Sequence, residues 1–482
     1  MWLAAGRPLT RGVRVVVFAL LAAAALAYPN FGVFHPNHYG HIHYWDVYHY
    51  FMGAKYFPEL GYARLYEATY VAGREMGAFG DATKIRDLTT YQFRAVATID
   101  AAAVRARFSP ARWGAFKRDL AFLGNRIREW PGPLLDRGYN DPPPRALLLH
   151  LLVRWVPATP VTLTLLTSID YVLIVVALVV VWRAFGPIPA ALAFASLWLS
   201  FFARFDFIGG SLLRWDWLAA LLLGMAALAR GRGATAGACL AYAALARIFP
   251  LAFLLPLGIK WVQSRARDAV LTRALVAAVA VVLVVVTVLI AAGEDRTSTR
   301  AYLAKIRLHS QEAAANSVGL GPLLVFHAAP WTLNPDGTVF VSDTDATAAT
   351  PASWIVPAVS AVYLLLALPL IVRASPLASV MYAVPLLFWA LAPTGYYYTF
   401  LVLLVLLPWK DGPPDRVRLL EMALLTGVMA VIYASEAASP DLIPLYYQAS
   451  KTMAGYFVLW LGFEYARLAM AGAAAPPPAA LR

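Results

Sequence analysis

The chain has 482 residues, 61% of them hydrophobic and 14% charged, with a mean hydropathy of +0.63. Ordinary globular chains carry about 25% charged residues, so this composition excludes a water-soluble enzyme, a disordered protein and a fibre, and predicts one membrane-embedded unit. The single cysteine, Cys239, excludes an intramolecular disulfide framework and a multi-cysteine metal site, and the formal charge of +13 reads first as orientation charge rather than as a nucleic-acid footprint.

Apolar runs that span a bilayer, or nearly so, lie at 12–28, 160–182, 187–203, 211–229, 271–292, 353–372, 376–392, 396–409, 419–437 and 451–470. A crossing helix needs about 20 such residues, so the expectation is an all-α polytopic membrane bundle of about 10–13 transmembrane helices. Residues 145–157 are short for a span, and 234–262 carry Arg247 and Pro250 near their middle, the pattern of a broken pair of half-helices. Lys and Arg in short loops mark the cytoplasmic side. If 145–157 and 234–262 do not cross, Arg7, Arg11 and Arg14 share a side with Arg183, Arg230, Lys260, Arg373 and Lys410, which puts both termini in the cytoplasm. The first apolar run passes into the bulky Tyr28-Pro29-Asn30-Phe31, and residues 1–28 are expected to stay as an anchor helix. Two long loops, 29–144 and 293–352, fall on the outer face, flanking membrane helices over 145–292 and 353–470, and the Pro/Ala tail 471–482 is expected to be disordered.

Loops this long are where chemistry is to be sought. In the first, 46–57 place Val47, Tyr50, Phe51, Ala54 and Phe57 at helical spacing and leave Asp46, His49, Gly53 and Tyr56 on another face until Pro58, which predicts an interfacial helix. A second amphipathic helix starts at Ser109-Pro110 and runs to Trp130, either along the bilayer surface or packed on the rest of the loop. The loop is close to charge-balanced, with 14 Lys and Arg against 11 Asp and Glu.

The densest polar stretch, His35 to His49, holds five of the eight histidines. Asp46 there is placed to act as a general base on an acceptor hydroxyl; the alternatives are a helix cap and, less well matched, a divalent metal site of His41, His43, Asp46 and His49. Asp141, in Tyr139-Asn140-Asp141-Pro142-Pro143-Pro144-Arg145, lies in an extended segment that also reads as a rigid turn into the membrane. Arg204 with Asp206, and Arg214 with Asp216, are ionisable pairs at or inside apolar runs, where such groups face a cavity, each other or an anion. A spacing of two within one helix suits mutual pairing poorly, so partners elsewhere or an anionic ligand are expected, and a guanidinium is suited to phosphate. Arg247 is a further buried cation, or one that snorkels to headgroups. Lys305, Arg307 and His309, followed by Asn316-Ser317, could hold a phosphate or sugar, and Tyr396-Tyr397-Tyr398 could stack on a sugar or form an interfacial girdle. Walker A, HExxH and GxSxG motifs are absent.

In their order along 12–409 these pieces resemble the GT-C superfamily of polytopic glycosyltransferases, and specifically glycosyltransferase family 87. The resemblance rests on Asp46-Val47-Tyr48 with Gly53-Ala54 and Gly61 to Glu67, on Tyr139 to Pro144, on Gly210 to Asp216 followed by Arg230 to Arg232 and Ala246-Arg247-Ile248-Phe249-Pro250, and on Asn316-Ser317 with Ala392 to Tyr398. The chain departs from the family pattern at Arg214 and Asp216 (Gln and Asn in the family), at Arg247 (Lys) and at Tyr397 or Tyr398 (His), and residues 70–138 have no counterpart. The resemblance implies an inverting transferase on the outer face of a bacterial inner membrane, moving a monosaccharide from a polyprenyl-phosphate donor to a lipid or glycan acceptor with Asp46 as base. No cofactor is needed, and partners are these substrates and membrane lipids, not nucleic acid. Substrate is expected at His43, Tyr48, His49, Asp141, Asp206, Asn316 and Tyr397, with Arg204, Arg214, Arg307 and His309 supplying charge for the leaving phosphate. The rival expectation is a transporter or flippase of lipid-linked glycans, for which buried charges and broken helices would also serve but paired repeats are lacking.

Overall fold

A computed structural model describes residues 11–35, 40–78, 82–293, 296–311, 316–328, 354–410, 412–438 and 441–473. Of the described residues, 77% are helical. Its first helix, α1 (Arg11–Ala27), is followed by a segment that folds on itself rather than lying open. Tyr44–Val47 (α2) continues through a π-helical stretch, Tyr48–Met52, into a further turn at Gly53–Lys55. Leu65–Met76 (α3) and Pro110–Gly124 (α4) pack against each other, and the only strands among the described residues, Lys84–Arg86 (β1) and Phe93–Ala95 (β2), form an antiparallel pair with Ile85 opposite Arg94.

This region has its own hydrophobic core, in which Val47, Phe51, Leu65, Trp113, Phe116 and Leu120 meet. The expectation of an interfacial helix over 46–57 is therefore corrected. Its apolar face is buried as predicted, but Asp46, His49, Gly53 and Tyr56 are buried too, because the segment covers both faces. Gly53 shows how tightly: a Cβ there would lie 2.5 Å from the Tyr139 ring. In α4, Ser109 Oγ caps by accepting from the Arg112 N–H at 3.3 Å, and Trp113, Phe116, Leu120 and Leu123 face the core. Its cations go to acids of the same region, Arg112 to Glu59 at 2.6 Å and Lys117 to Glu75 at 2.9 Å, so α4 is a packing helix, and it ends at Gly124 rather than Trp130.

Pro143–Val153 (α5) joins this core to the main bundle. Pro160–Phe185 (α6) is the first of four helices among the described residues that are long and apolar enough to cross a membrane. Pro187–Trp198 (α7) and Phe201–Ile208, bent by 72° to each other, make a fifth if counted as one broken span. Asp216–Ala229 (α8) and Gly233–Ala246 (α9) follow; the chain is then extended at Arg247, turns through Phe249–Phe253 and resumes as Leu254–Gln263 (α10). The other full-length helices are Ala269–Ala291 (α11), Ile355–Arg373 and Arg416–Ala438, while the hydrophilic Arg296–Gln311 (α12) docks on α5. Among the described residues, four or five full-length apolar helices are fewer than ten apolar runs would make, because 211–229 begins in a non-helical turn and 376–392 is helical only to Ala390, with a 3-10 turn inside it, which leaves helices of 10–17 residues. The short α8 is almost wholly buried, so its neighbours rather than solvent or lipid surround it. α9 crosses α11 closely through Gly233 and Gly237, where a Cβ would strike the Val270 and Ala274 carbonyls, the small-xxx-small contact of membrane helix pairs.

Candidate functional site

The two cores meet at Leu212 to Trp217, with Leu212 and Leu213 in the first and Trp215 and Trp217 in the second. Three connections bring distant chain to this seam. The His43 N–H donates to the Gly210 carbonyl at 3.1 Å, and Gly210, at φ +69° against the His41 carbonyl, has no room for a side chain. The Asp170 carboxylate of α6 accepts the Arg214 and Trp215 N–H groups at 2.6 and 3.1 Å, which satisfies donors left open at the start of α8. Ser317 pairs with Thr394 in an isolated β-bridge, and the Gly395 N–H donates to the Asn316 carbonyl at 2.8 Å.

A cavity of about 470 Å³ opens at this junction, within the ~300–1,000 Å³ of small-ligand pockets. Asp46, His43 and His49 line it from the first region, Arg214 from the seam, and Asn316 and Tyr397 from the third connection. The Arg214 Nη2 lies 3.2 Å from Asp46 Oδ1 and donates to the Tyr396 hydroxyl at 3.0 Å, and its guanidinium sits 4.0 Å from the centre of the Tyr50 ring. The pair is incomplete. Asp46 Oδ2 and Arg214 Nε and Nη1 are buried without a hydrogen-bond partner. Unsatisfied buried polar atoms are uncommon, and several converging on one cavity mark a place where a ligand completes the set.

Asp46 does not cap its own helix: that position is taken by His43, whose Nδ1 accepts the Asp46 N–H at 3.2 Å, so the Asp46 carboxylate is left for Arg214. His49 is held by the Trp45 carbonyl at Nδ1, 2.9 Å, and by the Tyr66 hydroxyl at Nε2, 2.9 Å. Burial lowers its pKa despite the nearby Asp136 and Asp46 carboxylates, which favours the neutral ring. His41 Nε2 meets the Thr164 hydroxyl at 3.0 Å, so His41, His43 and His49 are turned to separate partners, and no group of three or more His, Cys, Asp or Glu among the described residues is placed to hold a metal ion.

Beneath the cavity runs a second layer of buried charge. Asp141, fully buried, pairs with Arg145 and, at 2.7 Å, with Arg247; Arg145 also reaches Asp216 at 3.2 Å and holds the Leu212 carbonyl at 3.2 Å. Arg247 sits 5.9 Å from the centre of the Tyr397 ring and keeps Nε and Nη2 unpartnered. Asp141 is thus a support for cations rather than a wall of the cavity, and Arg247 is buried rather than snorkelling.

Four expected site residues lie elsewhere. Tyr48 turns into the first core, where its hydroxyl meets Thr69 Oγ1 at 2.8 Å, because two residues along a helix put it on the opposite side from Asp46. Arg204 and Asp206 pair with each other at 3.1 Å, contrary to the expectation from their spacing: Arg204 caps the turn with ψ +141°, so the two are not on a regular helix, and Glu436 completes the cluster. Arg307 is exposed on α12 away from the cavity, since the buried face of that helix is used by Lys305. The side chain of His309 lies outside the described residues. Sequence reasoning missed Asp136, Trp45, Tyr50 and Asn140, which also line the cavity, and Asp170, whose place inside an apolar run was the one available signal.

Fold and composition together define an all-α, multi-pass membrane protein. No family model, no curated protein and no solved structure matches the chain.

Proposed function

We propose that the protein is a GT-C-type membrane glycosyltransferase that moves a monosaccharide from a polyprenyl-phosphate donor to a lipid or glycan acceptor, at a site on the extracytoplasmic face of a bacterial inner membrane. The observation that carries this reading is the open pair in the cavity, a buried carboxylate oxygen and two guanidinium nitrogens without partners. An acceptor hydroxyl next to Asp46 Oδ2 would lose its proton to the carboxylate as its oxygen attacks the anomeric carbon. The bond from that carbon to the phosphate oxygen breaks, and polyprenyl phosphate leaves with one more negative charge, which Arg214 Nε and Nη1 are free to bind. One base and one displacement imply inversion at the anomeric centre. Arg214 would touch both partners of the reaction, holding Asp46 through Nη2 and the leaving phosphate through its other donors.

The two broken helices, at Ser200 and at Arg247, favour a second reading as a carrier of lipid-linked glycans. Purified protein in nanodiscs, given donor labelled in the sugar, separates the two. Transfer releases free polyprenyl phosphate and labels the acceptor; a carrier returns the donor intact, and that result would remove the transferase reading.

A further inference from the structure

The cavity wall opposite in charge to Arg214 is built from Trp45, Glu129, Asp136, Arg137 and Asn140. Trp45 and Asp46 are consecutive in α2 and both line the cavity, so a ring stacked on the indole would share the cavity with the carboxylate. The indole is fixed on two sides. Its Nε1–H donates to Asp136 Oδ2 at 2.8 Å, and its edge is seated on Gly132, where a Cβ would lie 3.0 Å from Cη2. With the N–H spent, what the ring offers a ligand is its apolar, electron-rich face, which suits the polarised C–H groups of a pyranose.

Asp136 receives the Trp45 N–H on one oxygen and the Arg137 N–H, at 2.7 Å, on the other, and its side chain is 41% exposed. Each carboxylate oxygen has a further lone pair for a hydroxyl. Burial alone would raise its pKa, but the nearby His49, the indole N–H and the Arg137 backbone N–H and charge together hold it below the ordinary value, so Asp136 is an acceptor only. Asn140 accepts the Tyr50 hydroxyl at 2.6 Å through Oδ1, which leaves its amide nitrogen as a donor. Acceptor and donor side by side match sugar hydroxyls, which are both. Two acids against one Arg on this wall disfavour an anion, which Arg214 attracts instead.

We infer that Trp45, Asp136 and Asn140 form a binding subsite for a neutral pyranose of the acceptor, an inference that rests on the glycosyl-transfer reading of the same cavity. The test is saturation-transfer NMR on the purified full-length protein with methyl α-mannopyranoside and methyl α-glucopyranoside, and with glucuronic acid as the anionic counterpart. Neutral glycosides are expected to bind wild type and Trp45→Phe, about tenfold more weakly to Trp45→Ala and about threefold more weakly to Asp136→Asn, whereas any binding of glucuronic acid, drawn to Arg214 instead, is expected to be unchanged by Trp45→Ala. Absence of transfer to every neutral glycoside, or equal binding by Trp45→Ala and wild type, overturns the subsite; if Trp45→Ala does not fold, unchanged binding by Asp136→Asn does so. Donor cleavage with an acceptor KM unchanged by Trp45→Ala also overturns the subsite while leaving glycosyl transfer in place. Tryptophan-dependent sugar binding without any donor cleavage has the opposite meaning: the subsite stands and the transferase reading falls.

Discussion

Two of the buried ion pairs in this chain, Lys55–Asp119 and Asp46–Arg214, differ in what they leave open. In the first core, Asp119 accepts Lys55 Nζ at 2.6 Å and the Tyr56 hydroxyl at 2.7 Å on Oδ2 and the Ala158 N–H at 2.9 Å on Oδ1, while Lys55 also donates to the Val156 carbonyl at 2.6 Å. Neither side chain keeps a buried atom without a partner. At the seam, the Asp46–Arg214 pair keeps three. Burying charge is expensive unless hydrogen bonds complete it, so a closed cluster serves the fold and an open one awaits a ligand. Asp119 clamps α4 to the start of α6; Asp46 is aimed into the cavity.

The contrast can be broken by exchanging the variants. Asp46→Asn should lower turnover by about 10²–10⁴-fold, the usual contribution of general-base catalysis, measured as labelled acceptor formed at matched protein levels. Asp119→Asn should act on stability instead, costing about 3–5 kcal/mol as Lys55 loses its counter-charge, read as a fall in the thermal midpoint, with the folded fraction keeping its turnover. If Asp119→Asn removed activity without lowering the midpoint, the division between closed and open clusters would fail.

Smaller changes sharpen the same comparison. Gly53→Ala pushes a Cβ into the Tyr139 ring and should cost about 1–3 kcal/mol by overpacking, displacing the Tyr139–Asp141 segment that supports Arg145 and Arg247. A circular-dichroism melt checks the cost. The smallest effect is one of pH. Lys305 on α12 donates to the Tyr62 and Tyr139 carbonyls at 3.0 and 2.8 Å, and burial lowers its pKa from 10.5 to about 7. Between those two values the unfolded chain binds more protons than the folded one, so the Lys305 contribution to stability rises with pH through that window and is flat below it. The midpoint of wild type minus that of Lys305→Met should climb from pH 7 to pH 10; a flat difference would contradict it.

How much of this was legible in the sequence depends on the range of the forces involved. Hydropathy marked the helical runs, and Ser109-Pro110 marked the start of α4, because capping and periodicity are local. Burial of the polar face of 46–57 was not legible, since what covers it comes from α4, α5 and residues 132–140. Asp46, Arg214, Asn316 and Tyr397 could each be picked out as chemistry-bearing types, and the fold brings all four to one cavity. Arg204 carried the same signal and goes instead to Asp206 and Glu436, the latter 232 residues away in sequence. Asp136 gave no signal, because an acid in a charge-balanced loop looks like any solvated residue until the Trp45 N–H is found upon it.

The most direct test of the central claim is a structure of the protein with a non-hydrolysable polyprenyl-phosphate sugar analogue. The phosphate is predicted to lie within hydrogen-bond distance of Arg214 Nε and Nη1, with the anomeric carbon facing Asp46 Oδ2. A phosphate bound away from Arg214, with Asp46 and Arg214 paired as before and no ligand between them, would contradict it.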